Sequence, residues 1–201
     1  MLDKKLNCVV STSAGRLFDA VSAILGVRKS STFEGEASMA LQFAAEAWNE
    51  THPGQVTPET TPCPAFDRDA SGTVVLPTDS LVKELLLARL DGADPGMLAA
   101  RFHAALATMI AKICEIIRAD TGLNICALTG GVFQNRLLTT LCAGLLRKAG
   151  FRVLLHGMIP PNDGGIGAGQ ALAAMYHLNK TNQHSSISHS SIPTKGDGLC
   201  V

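Results

Sequence analysis

The chain has 201 residues, 46% of them hydrophobic and 17% charged, with 17 basic residues against 17 acidic ones. That length suffices for one substantial domain or two small lobes with a real core. The balanced charge gives no electrostatic case for nucleic acid or an acidic membrane as partner. Met1-Leu2-Asp3-Lys4-Lys5-Leu6 lacks the apolar centre of a signal peptide, and no apolar run reads as long enough for a membrane span, so a cytoplasmic protein is expected. Cysteines at 8, 63, 114, 126, 142 and 200 include no Cys-x-x-Cys pair. Cys114, Cys126 and Cys142 fall in apolar patterns and read as buried, reduced thiols rather than zinc ligands or disulfides.

In chain order, Leu17, Val21, Ile24 and Leu25 recur at helical spacing, with Ser13 placed to cap the helix and Gly26 to end it. A second helix opens at Phe33-Glu34-Gly35-Glu36-Ala37 and runs to about Asn49. Thr51 to Pro64, rich in Thr and Pro, reads as a surface loop. Ala65 to Arg68 and Thr73 to Leu76 flank Asp69-Ala70-Ser71-Gly72 as a β-hairpin. Its faint likeness to a calcium loop fails for want of the later bidentate Glu. Thr78-Asp79-Ser80 is placed to cap a helix from Leu81 to Leu90, and a long, largely apolar helix runs from Met97 to about Ala119. His103, on that helix, reads as a hydrogen-bonded core residue.

Two glycine-rich turns follow. Cys126 to Asn135 reads as strand, tight turn and helix: Gly130 and Gly131 let a ligand approach without meeting a Cβ, and Asn135, in the first helical turn, can aim its carboxamide at it. A plain connection with no ligand fits the same spacing. After the apolar run Phe151 to Leu155, Pro160-Pro161-Asn162-Asp163-Gly164-Gly165-Ile166-Gly167-Ala168-Gly169 places one acidic side chain among small residues. Asp163 is either the N-cap of the next helix or a ligand-facing carboxylate. The helix Leu137 to Lys148 joins the two units as βαβα, and a right-handed crossover sets both turns at the carboxyl end of one sheet. Neither a dinucleotide fingerprint nor a P-loop is present.

Gly130-Gly131-Val132-Phe133-Gln134-Asn135, Pro160-Pro161-Asn162-Asp163-Gly164-Gly165, Gly15-Arg16-Leu17-Phe18-Asp19-Ala20-Val21 and Arg101-Phe102-His103 together resemble the C-terminal region of the HypF carbamoyltransferases, from about Asn7 to Met175. These are maturation enzymes of nickel-iron hydrogenases, more distantly similar to the tRNA threonylcarbamoyl transferases. The resemblance implies an α/β fold, the second lobe of an actin-like, RNase H-like nucleotide-binding domain, here with added helices and the small hairpin. Residues 1–178 would form that part, and 179–201 a polar, disordered tail.

The implied activity is transfer of a carbamoyl group from carbamoyl-adenylate, made with ATP, to the C-terminal cysteine of the partner HypE. By the same resemblance Gly15, Asp19, Gly130, Gly131, Asn135, Gly164 and Gly165 are candidate nucleotide-binding residues, Asp19 as a ribose hydroxyl acceptor. Asp163 matches an Asp that in the related transferases coordinates iron or zinc. Family members often carry Gln where Glu36 stands, and a carboxylate there repels phosphate, so Glu36 is left out of the site. The paired histidine metal ligands and the first half of the fold come, in the family, from sequence upstream of anything present. A truncated or split product is therefore expected, with weak nucleotide and metal binding and no transfer alone, dependent on the remaining N-terminal part of HypF. A kinase-like phosphotransferase lobe and a non-catalytic nucleotide- or HypE-binding module are the alternatives.

Overall fold

The computed structural model describes residues 11–187, the side chains of 181–187 excepted. Among the described residues six α-helices, α1 (Ala14–Leu25), α2 (Glu36–Thr51), α3 (Thr78–Leu90), α4 (Pro95–Thr121), α5 (Arg136–Lys148) and α6 (Ile166–Ile187), are interleaved with four short strands. Strands β1 (Asp67–Arg68) and β2 (Val74–Val75) form an antiparallel hairpin, and β3 (Ile125–Ala127) pairs in parallel with β4 (Arg152–Leu154).

Local chemistry sets the helix ends as expected in most places. Ser13 Oγ accepts from the Arg16 amide at the start of α1, and Gly26 ends it with φ of 77°. Asp94 caps α4, its Oδ1 accepting from the amides of Gly96 at 2.7 Å and Met97 at 3.0 Å, with Pro95 in the first turn where its missing N–H is harmless. Three boundaries differ from expectation. Helix α2 begins at Glu36, after the positive-φ Gly35. Helix α3 starts at Thr78 behind Pro77, with no side-chain cap, so Thr78-Asp79-Ser80 lies inside it. Before α6, the capping side chain is Asn162, whose Oδ1 accepts from the Gly164 amide, and Asp163 is left free of that duty.

Helix α4 is the axis of the core. Leu98, Ala99, Phe102, Ala105 and Met109 are fully buried, and the small side chains of Ala100, Ala104, Ala107 and Ala111 let its neighbours approach closely. Its main neighbours are α2, with Leu41 and Ala45, and α5, with Leu138, Cys142 and Leu146. Phe18 from α1 meets Phe102 edge-to-face at 4.8 Å. Truncating either ring to Ala costs about 3–5 kcal/mol. By length and composition α4 would pass for a membrane span, which the sequence reading denied to every run; its burial makes it a core helix. Arg68 Nη2, 2.8 Å from Asp120 Oδ2, pins the hairpin to the end of α4.

The parallel pair is covered on one face only. Cys126 and Val153 pack against the core, whereas Ile125 (57% exposed) and Leu154 (43%) point the other way. Parallel strands are ordinarily buried on both faces. Helix α6, which follows β4, does not supply the second layer: residues 166–180 are exposed throughout, Leu172, Met175, Tyr176 and Leu178 each above 60%. It extends to Ile187 and so enters the polar segment from 179, whose remainder, with His189 and Cys200, lies outside the described residues, as does Cys8.

Candidate functional site

A cleft of about 820 Å³ opens at the carboxyl ends of β3 and β4. Helix α1 contributes Gly15, Arg16 and Asp19 from its first turns. The start of α2 contributes Ser38, Met39 and Gln42, preceded by Glu34 and Gly35. The turn after β3 supplies Gly131, Val132, Gln134 and Asn135, and the turn after β4 supplies Asn162 and Asp163. The two glycine turns are tied together, the Gly130 amide donating to the Pro161 carbonyl at 2.8 Å. The juxtaposition expected from the βαβα order is present.

The candidates divide. Gly15, Asp19, Gly131, Asn135 and Asp163 line the cleft; Gly130, Gly164 and Gly165 do not. Gly130 adopts φ 101° and ψ 156°, a backbone region that is essentially glycine's alone, and this turns the chain from β3 into a short 3-10 helix, Gly131–Gln134. At Gly165 a Cβ would stand 2.9 Å from the Pro160 carbonyl oxygen, so that glycine is needed by the loop's packing on itself. Asp19 pairs with Arg16 at 3.1 Å, so a hydroxyl approaching Asp19 meets a carboxylate already partly neutralised. Asn135 sits one residue before α5 as its N-cap: Oδ1 accepts from the Leu138 amide at 2.9 Å, and Nδ2 is 3.0 Å from His103 Nε2. Its carboxamide is thus anchored in the protein, not free to swing toward a ligand. Glu36 lies outside the cleft, paired with Arg28, in keeping with its exclusion.

Sequence reasoning missed the contribution of α2. Gln42, 8% exposed, holds its amide against Glu46 Oε1 at 3.0 Å. Its burial comes from tertiary packing, so the sequence carried no signal for it.

His103 is fully buried and hydrogen-bonded, as read from sequence, and burial holds it neutral, its pKa pushed down to about 4. Burial and the adjacent Cys126 raise the Cys114 thiol to about 12, and burial raises Cys142 equally. The two sulfurs of Cys114 and Cys126 lie 3.7 Å apart, in hydrogen-bond contact and without a disulfide. Cys142 is buried, as expected, whereas Cys114 and Cys126 are only half-buried.

The described residues lining the cleft include no Cys, His or Lys. What the walls offer is amide, carboxamide and hydroxyl groups, one guanidinium and the carboxylates of Asp19, Glu34 and Asp163. No group of three or more His, Cys, Asp or Glu suited to a metal ion occurs among the described residues. Asp163, an exposed carboxylate without a partner among the described residues, supplies one ligand, and one ligand does not make a transition-metal site.

These features define an α/β domain with a polar cleft at the ends of a parallel strand pair. The chain belongs to the carbamoyltransferase family of the Kae1-like domain, second subdomain, whose family model matches residues 1–170. It is 37% identical over 176 residues to the carbamoyltransferase HypF of Rhodobacter capsulatus, covering 87% of this chain and 21% of that protein. The probable carbamoyltransferase HypF of Methanocaldococcus jannaschii is 31% identical over 172 residues, covering 86% of this chain and 21% of its own length. A crystal structure of full-length HypF in the phosphate- and nucleotide-bound form superposes with a TM-score of 0.72 at 31% identity, covering 88% of this chain and 22% of that one. The chain therefore spans about a fifth of the length of these relatives.

Proposed function

We propose that this chain is the second half of a two-part site, an actin-like lobe that holds ATP or carbamoyl-adenylate while the carbamoyl group passes to the C-terminal cysteine of HypE. The observation that carries the reading is the cleft itself, walled by two glycine turns and the start of α1, beside a sheet face and a helix α6 that nothing covers among the described residues. The covering layer is the remaining, N-terminal part of HypF, in a cytoplasmic complex. Ile125, Leu154 and Leu155 on the sheet side and Leu172, Met175 and Tyr176 on α6 are the surfaces it buries.

In this reading the chain's residues bind and orient. Backbone amides at Gly131 and the first turn of α1 face the phosphate, Asp19 takes a ribose hydroxyl, and Gln42 and Asn135 hold the ligand's polar edge. The HypE thiolate attacks the carbamoyl carbon, a C–S bond forms, the C–O bond to the phosphate breaks, and AMP leaves with the electron pair; the thiol proton goes to solvent. A divalent ion, iron or zinc, joins only when upstream ligands complete Asp163, and the residues present do not fit it alone. The cleft's amide, carboxamide, hydroxyl and carboxylate groups equally suit a second reading, a non-catalytic nucleotide- or HypE-binding module.

Reconstitution decides between them. The chain and the upstream part of HypF, produced separately, are mixed with carbamoyl phosphate, ATP and HypE, and the mass of the HypE C-terminal peptide is read. Gain of one carbamoyl group only when both pieces are present supports transfer. Equal gain without this chain rejects it.

A further inference from the structure

We propose that His103, beneath the cleft, fixes the hydrogen-bonding identity of Asn135, so that this wall meets its ligand with an amide N–H donor and not with a carbonyl acceptor. The inference rests on the nucleotide reading for its ligand, an acceptor oxygen on the phosphate or carbamoyl group.

The chain of bonds is determined from both ends. The Ala99 carbonyl can only accept, so His103 Nδ1, 2.8 Å away, carries the ring proton. In the neutral ring Nε2 is then an acceptor, and it takes an N–H from Asn135 Nδ2 at 3.0 Å. At the other end the Leu138 amide can only donate, so the atom it meets at 2.9 Å is Asn135 Oδ1. The two constraints agree on one orientation of the carboxamide. One Nδ2 hydrogen is spent on His103; the second has no acceptor among the described residues, on a residue that lines the cleft. A flipped amide would set its oxygen against the Nε2 lone pair and its NH₂ against the Leu138 N–H, two repulsive contacts in place of two bonds.

The surroundings hold the ring in this state. Phe18 and Phe102 stand edge-on to it, with centroids 5.4 and 5.7 Å away, and exclude water. The nearby carboxylate is Glu46 of α2, itself paired with Arg136 of α5 at 3.3 Å, and its pull toward protonation is outweighed by burial. Each member of Arg101-Phe102-His103 thereby acquires a role: Arg101 pairs with Glu84, Phe102 packs the ring, and His103 orders the cleft wall as a positioning residue that touches no ligand.

The test uses the full chain, its ATP affinity measured in the presence of the upstream part of HypF. Nitrogen-15 NMR of the His103 ring is expected to show a protonated Nδ1 and an unprotonated Nε2, with one Asn135 side-chain amide proton exchanging slowly. Asn135→Asp keeps the cap for Leu138 but offers His103 a carboxylate, so the ring should become doubly protonated and ATP affinity should fall about tenfold. His103→Leu should lose a similar factor, and His103→Gln, which retains a donor and an acceptor, should stay within about threefold of the parent. If His103→Leu fails to fold, the ring spectrum and Asn135→Asp still decide. A proton on Nε2 in the parent chain, or parental ATP affinity in folded His103→Leu, overturns the proposal. The expected ring state in a chain that binds no ATP, alone or with the upstream part of HypF, leaves the bond relay supported and overturns the nucleotide reading instead.

Discussion

The backbone amide of Gly130 donates to the carbonyl of Pro161 at 2.8 Å, joining two turns that are thirty residues apart in the chain and share one cleft. Gly130 itself adopts a φ of 101°. No atom lies within 4 Å of a Cβ built there, so Gly130→Ala tests backbone strain alone. It should cost about 1–3 kcal/mol and lower the melting temperature by roughly 2–4 °C per kcal/mol. An unchanged melting temperature would mean that the turn is not built as described.

Two other glycines should respond in opposite directions. Gly165→Ala places a methyl 2.9 Å from the Pro160 carbonyl oxygen and 3.0 Å from Ile159 Cγ2, so the second turn must shift. Stability should drop by roughly 1–3 kcal/mol. Gly144, in the interior of α5, faces open space, and Gly144→Ala should stabilise by about 0.5–1 kcal/mol. Urea unfolding of both variants checks the pair; the same sign in both would count against the loop packing.

Stability should fall in acid because of His103. Its pKa drops from the ordinary 6.5 to about 4 on folding, chiefly through burial, so the unfolded chain binds the proton more readily. The contribution is fully present above pH 6.5, declines as pH falls, and is lost by about pH 4. It amounts to on the order of 3 kcal/mol. Glu36, Glu59 and Asp69, held below the usual carboxylate range by hydrogen bonds, lose stability in the same direction, so the comparison must be with His103→Gln. Urea midpoints at pH 7 and pH 4.5 should differ less in that variant than in the parent.

Thiol labelling offers a further check. With Cys114 and Cys142 raised to about 12, almost no thiolate forms at pH 8, and both should resist iodoacetamide in the folded chain yet react in urea. Peptide mapping reads the result. Rapid native labelling of Cys142 would contradict the packing of α5 on α4.

Much of this was legible in the sequence where local chemistry decides. Ser13 and Gly26 bracket α1 because a side-chain oxygen and a left-handed glycine are what helix ends require. The strand-turn-helix pairs announced a common edge, and the cleft is there. What could not be read is where the deciding partner is distant. The reversal of capping roles between Asn162 and Asp163 depends on the loop's packing against Pro160. Asn135 was expected to face a ligand freely; it is anchored by a histidine 32 residues earlier, and periodicity alone carries no trace of that bond. Helix α2 entered the cleft wall unnoticed because Ser38 and Gln42 look like ordinary polar positions until α1 packs beside them.

If this chain forms half of a nucleotide site, calorimetric titration with ATP will show it. The chain should bind weakly or not measurably alone and tightly once the upstream part of HypF is added, with affinity reduced by Asn135→Ala and Asp163→Ala. Tight binding by the chain alone, indifferent to both substitutions, or no binding even with the upstream part, would contradict it.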